Sequence, residues 1–185
     1  MSPPPSLPAL GQLVSAMLGA EVHRVHARGA GVEAGTSSSE EYWQHGALAR
    51  LVTTGRTVTT GPAGSRVAVR GRRVETGPPL RGRLGWTDRL LRPELLGVWG
   101  RPGEDWRLGD VVDWSPDVPG CVLLSLEHVE DNRRGEAHVD PHTGRVLLLE
   151  LPGSLRWQLT DVDDDPDVAS WPEDRWFAGV HEAGS

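Results

Sequence analysis

The sequence predicts an α+β protein built on a single curved antiparallel sheet, a half-barrel, with an N-terminal helix and a two-part helical insertion packed on its concave side. Three observations lead there. Residues 121–163 hold four apolar strand-like runs in succession with only turns between them, as in an antiparallel meander. Two other stretches, 9–20 and 85–100, space their apolar residues with a helical period. At 185 residues the chain is long enough for one domain with a real core and short for two.

Taken in order, residues 1–8 carry proline at positions 3, 4, 5 and 8 and make a flexible or extended leader, since proline is excluded from helix interiors. In 9–20 the residues Leu10, Leu13, Val14, Met17 and Leu18 share one helical face, and Gly19 ends the helix. Residues 21–34 read as a strand with Val22, Arg24, His26 and Arg28 on one side and His23, Val25 and Ala27 on the other. A Ser-rich loop is expected at 36–40. One strand then covers 42–54, alternating Trp43, His45, Ala47, Ala49 and Leu51 with Gln44, Leu48 and Arg50.

Short extended runs come next at 57–60 and 66–70, and RVAVRGRRVETG reads as a tight hairpin around Gly71, stopped by Gly77, Pro78 and Pro79. Between Gly85 and Gly100, Trp86, Leu90, Leu91, Leu95, Val98 and Trp99 fit a helical face, with Thr87 or Asp88 as N-cap and Pro93 dividing the segment in two. Residues 105–114 return to extended character. In the meander, Val122, Leu124 and Leu126 fall on one apolar face. VDPHTGRVL makes a hairpin in which Pro141 presets φ and Gly144 takes the positive-φ position. The run 146–151 is apolar on both faces and therefore central, whereas Leu155, Trp157 and Leu159 alternate with Arg156, Gln158 and Thr160 in a half-exposed strand. These elements make one domain over 9–163. Residues 164–185 form an acidic tail that Trp171 and Trp176 are expected to dock on it.

Composition narrows the function classes. The chain has no lysine and no isoleucine, and all 19 basic residues are arginine, as in proteins of G+C-rich, actinobacterial-type genomes. The net charge of −7 divides unevenly: residues 1–92 hold 12 arginines and 6 acids, net +6, and residues 93–185 hold 7 arginines and 20 acids, net −13. The two halves are expected to lie against each other in one fold. The single Cys121 has no partner within the chain, so no internal disulfide staples it. No arginine precedes Arg24, and the apolar stretch 10–20 is broken by Gly11, Gln12, Ser15 and Gly19, which argues against a secretory signal and for a cytoplasmic protein.

The order of elements, with LLRPELL in the helical insertion and VDPHTGRVLLLE in the meander, resembles the LolA-like half-barrel of periplasmic lipoprotein carriers and of the N-terminal domain of the sigma-factor regulator RseB. The resemblance covers residues 8–163. It implies a curved sheet around helices, whose concave space takes lipid or acyl chains or serves as a protein-binding surface, and it assigns no contact residue in this chain.

Candidate sites come from side-chain chemistry. Trp43, Trp106 and Trp157 are expected to line a concave cavity for an apolar small molecule or a partner peptide. His138, Asp140 and His142 have a spacing that could bring two imidazoles and a carboxylate to a transition metal; the preferred reading is a turn aspartate accepting backbone N–H groups beside a surface histidine. His23 and His26 project to opposite faces and cannot ligate together from one strand, although with His45 they could still meet across neighbouring strands; a satisfied core or surface histidine is the preferred reading. Asp161, Asp163 and Asp165 begin like a calcium loop, but Pro166 and Pro172 stand where glycine and glutamate are needed. The arginines of 66–92 are a candidate surface for a protein partner; nucleic acid is disfavoured because the protein is acidic and only Trp86 accompanies them. No nucleophile elbow, phosphate loop or dinucleotide fingerprint occurs, and no cofactor is expected. The reading is a non-catalytic binding protein, with a regulatory module using its charge-separated surface as the alternative and a metal-assisted hydrolase behind it.

Overall fold

Eleven strands pair into one curved, unclosed antiparallel sheet in the computed structural model, which describes residues 6–70, 74–80, 84–167 and Trp171. The first six strands are β1 (Arg24–Glu33), β2 (Thr36–His45), β3 (Leu48–Thr53), β4 (Arg56–Gly61), β5 (Gly64–Val69) and β6 (Glu75–Gly77). The last five are β7 (Trp106–Trp114), β8 (Val122–His128), β9 (Arg134–Val139), β10 (Val146–Leu151) and β11 (Leu155–Asp163). Each set is a meander. They join where β1 pairs with β11, from His26 opposite Asp163 to Glu33 opposite Leu155, so the order is β6-β5-β4-β3-β2-β1-β11-β10-β9-β8-β7.

Three short helical pieces fill the hollow: α1 (Leu10–Leu18), α2 (Trp86–Leu91) and a 3₁₀ turn (Pro93–Leu95). The chain leaves the sheet at edge strand β6 and returns at the opposite edge, β7. On the way α2 lies over the middle of the sheet, against β1, β2, β10 and β11. Leu13 and Met17 of α1, Leu90 and Leu91 of α2, and Leu96 and Val98 beyond the 3₁₀ turn join Val122, Leu124, Leu126, Ala137, Val139, Val146 and Leu149 in one core cluster. Each leucine, valine or methionine side chain so removed from water contributes roughly 1.5–3 kcal/mol. The indole of Trp157 reaches across to β1, where a Cβ at Gly31 would collide with it and one at Gly29 would meet its Nε1. Those glycines make room for tryptophan rather than mark a turn.

The expectations for α1, for the division at Pro93, and for strands 8 to 11 hold. Val122, Leu124 and Leu126 are fully buried, and β10 lies between β9 and β11. Three details differ. The Ser-rich stretch is strand, not loop: Ser37, Ser38 and Ser39 face Val32, Gly31 and Ala30 across the ladder, and pairing overrides the weak preference of serine for sheets. The reversal sits earlier, at Ala34 and Gly35, whose φ values of 47° and 80° suit a two-residue hairpin.

The stretch 42–54 is two strands that turn at Gly46 and Ala47. Tyr42 therefore pairs with Leu51 and Trp43 with Arg50, which separates Trp43 from the face of Ala49 and Leu51. Helix α2 takes Gly85 as its N-cap position, two residues ahead of Thr87 and three ahead of Asp88. Its first-turn donor Thr87 N–H binds the Glu40 carboxylate of β2 at 2.7 Å, a cap supplied from across the fold. β5 and β6 pair as the expected hairpin requires, while its tip at 71–73 lies outside the described residues, as do Trp176 and the rest of 172–185.

Candidate functional site

The face of β1 turned away from the helices carries Arg24, His26 and Arg28. Register with β2 sets His45, Trp43 and Glu41 beside them. Alternation dictates this, since Val25, Ala27 and Tyr42 are committed to the core. Glu41 ties the row together, accepting from His26 Nε2 at 2.9 Å and Arg28 Nε at 3.1 Å. The His26 ring stacks on Trp43 with centroids 4.9 Å apart and an interplanar angle of 4°. Leu48 and Val52 of β3 flank Trp43, and the result is an apolar platform with a basic edge on the outside of the sheet.

Residues 164–167 and Trp171, beyond β11, lie against that face. Asp164 receives both Nη1 and Nη2 of the buried Arg145 at 2.7 and 2.6 Å, a two-pronged pair that fixes the start of the segment. Arg24 makes three contacts further along the same segment: Nη2 donates to the Pro166 carbonyl at 2.6 Å, Nη1 lies 3.2 Å from Asp165, and the guanidinium stands 5.8 Å from the ring centre of Trp171. Trp171 packs with Trp43 and is only 2 % exposed. His45 meets its ring edge-on at 5.6 Å. One arginine thus engages the main-chain carbonyl of Pro166, the carboxylate of Asp165 and the aromatic face of Trp171.

The structure places the predicted residues unevenly. Trp106 and Trp157 are in the main core, whereas Trp43 is on the outer face, so the three do not line one cavity. His26 and His45 do share a face, with Trp43 between them in the register of β1 and β2. His138 faces outward and is buried: Ser115 Oγ accepts the Val118 and Asp117 N–H groups at 2.8 and 3.2 Å, which leaves its own hydrogen for His138 Nδ1 at 2.6 Å. Burial pulls the His138 pKa below 6.5. Asp140 accepts the His142 N–H at 2.9 Å and the Thr143 hydroxyl at 2.7 Å, the arrangement of a turn aspartate. Among the described residues no group of three or more His, Cys, Asp or Glu side chains is placed to hold a metal ion. Burial, with a smaller push from Asp140, raises the Cys121 thiol to about 11, which leaves it protonated and unreactive.

Of the arginines in 66–92, Arg66 belongs to edge strand β5, Arg92 is paired with the buried carboxylate of Asp88, and Arg89 stands over Trp86 at 4.3 Å, so the described members do not form one patch. A surface hollow of about 390 Å³ beside the β8–β9 turn is lined by Arg107, Glu127, Asp131 and Arg133, whose charges pair among themselves. No helix among the described residues is long and apolar enough to cross a membrane.

No protein-family model matches the sequence, and no curated protein sequence matches it. Among solved structures the chain is similar to MucB, at 21 % identity and a TM-score of 0.45 over 92 % of this chain. It is also similar to MucB in complex with MucA(peri), at 24 % identity and 0.43, and to the Pseudomonas aeruginosa MucA/MucB complex, at 23 % and 0.43. The chain spans about three-fifths of the length of those structures: 62, 58 and 60 %.

Proposed function

We propose that this is a non-catalytic binding protein that receives an extended segment of a partner protein on the outer face of β1–β3. The observation that carries this reading is the set of three Arg24 contacts, because a carbonyl, a carboxylate and an aromatic face in sequence are features of a peptide rather than of a compact metabolite. The hollow side favours the same reading. Leu90, Leu91 and Leu96 are fully buried there and Trp157 is 1 % exposed, so the protein's own side chains take up the space an apolar ligand would need.

Two measurements test it. Native mass spectrometry of the purified full chain is expected to return the bare polypeptide mass; a co-purified lipid would restore the cavity reading. Selection of an unstructured peptide library against the full chain carrying Trp171→Ala should yield binders that shift the amide resonances of 24–53. Binders that shift only residues elsewhere, or a selection that enriches nothing, would remove the proposal.

A further inference from the structure

We infer that the partner segment is acidic and anchored by a tryptophan, and that Asp164, Asp165, Pro166 and Trp171 occupy its place in cis and must be displaced before it binds. This rests on the peptide-binding reading and adds to it the chemistry of the partner and the competitor.

The groove selects each feature separately. Its anchor position holds an indole enclosed by Trp43, Leu48 and Val52, edge-on to His45 and under the Arg24 guanidinium. Tryptophan gives the strongest attraction to a cation over its face, and a leucine there keeps the apolar contact while losing that attraction. The charges facing the segment are basic: Arg145 takes Asp164 and Arg24 takes Asp165. At Pro166 the groove takes the carbonyl, the one backbone hydrogen-bonding group a proline has. The chain itself carries this pattern in DDDPDVASWPED over 163–174, a run of acids with one tryptophan, and its basic counterpart in Arg24 and Arg28 near the other end.

The tether makes the cis segment a strong competitor. A short linker holds its end at an effective concentration of about millimolar, so an external peptide of equal intrinsic affinity gains little occupancy below that concentration. Displacement, rather than simple association, is the binding event in the intact protein.

The test uses the full chain and a fluorescein-labelled synthetic peptide of residues 161–174. Anisotropy should show the peptide binding the Trp171→Ala protein at least ~10-fold more tightly than wild type, where the cis segment competes. Replacing the peptide tryptophan with alanine should weaken binding to the variant by at least ~10-fold, as for an anchor residue. Adding Arg24→Glu to Trp171→Ala should abolish it, and raised salt should weaken it. Should Trp171→Ala fail to fold by circular dichroism, Trp171→Leu serves instead: it keeps the apolar contact and loses the attraction to Arg24, so the gain over wild type should be smaller, at least ~2-fold, and no gain would overturn the cis competition.

Equal affinity for wild type and variant would overturn the cis competition, and an unchanged affinity for the alanine peptide would overturn the anchor. A wild-type protein that forms concentration-dependent dimers while Trp171→Ala stays monomeric would assign the groove to the tail of a second copy and overturn the partner. If library-selected peptides map to 24–53 yet lack both acids and tryptophan, the partner chemistry falls while the peptide-binding face stands. If the labelled peptide shifts only resonances elsewhere, both fall.

Discussion

At the scale of single residues, Gly144 shows how a turn and a helix constrain one position twice. Its φ is 72°, and a Cβ there would strike the Ala16 carbonyl of α1. Gly144→Ala adds strained backbone and a steric conflict with a helix that cannot shift without disturbing Leu13 and Met17, so urea denaturation should show a loss of about 2–4 kcal/mol. A loss under ~0.5 kcal/mol, the scale of an ordinary surface change, would mean that α1 does not press on this turn. His138 carries a pH signature instead. Its pKa is lowered by burial, so between the folded value and 6.5 the unfolded chain holds a proton that the folded chain does not. Stability is therefore full above about pH 6.5 and falls as pH is lowered through that value, with a slope of at most ~1.4 kcal/mol per pH unit. His138→Asn keeps an acceptor for Ser115 and removes the titration, so the difference between its stability curve and that of wild type isolates the histidine. Parallel curves would rule that origin out.

Elements add what single residues do not. Helix α1 is nine residues long, has no acidic residue in its first turn and no basic residue in its last, and is capped by a single side chain, Gln12 Oε1 accepting the Ala9 N–H at 3.0 Å, so most of its stability comes from docking. Leu13→Ala and Met17→Ala should each cost about 2–5 kcal/mol, whereas Leu18→Ala, half-exposed on the same helix, should cost under ~0.5 kcal/mol. Three similar losses in thermal melts would contradict the docked face. This helix is legible in the sequence because its period is clean. The meander is legible too, since alternation at Val122, Leu124 and Leu126 and the turn at Gly144 agree with each other. Strand β2 is not: serine runs favour loops locally, and only the ladder with β1 makes 36–40 extended. Without the turn at Gly46, local pattern puts Trp43 on the face of Ala49 and Leu51 and hides the outer groove. The ingredients of that groove are visible as Arg24, His26, Arg28 and the acidic tail, but their meeting depends on β1 pairing with β2 and on the chain beyond β11 folding back, contacts that local pattern does not encode. The cap that Glu40 gives α2 is equally non-local, joining residues 47 apart.

For the whole molecule, the decisive contact is the seam between β1 and β11, which closes a loop of more than a hundred residues and turns two local meanders into one sheet. Without it each half exposes the face that α2 covers, because α2 touches β1 and β2 on one side of the seam and β10 and β11 on the other. The halves should therefore unfold together, in one transition seen alike by tryptophan fluorescence and far-ultraviolet dichroism. Protection within that unit should be graded. The strands flanking the seam have neighbours on both sides and share the largest core cluster. At one edge β7 is broken by two register shifts, and at the other β6 is three exposed residues whose only ladder among the described residues is to β5. Native-state hydrogen exchange should thus find the amides of β1, β10 and β11 opening only with global unfolding, and those of β5 and β6 exchanging through local opening at much lower cost. Amides of β5 as slow as those of β10 would mean that the β6 edge is covered by something more than the strands described, and two separate unfolding transitions would mean that the seam does not couple the halves.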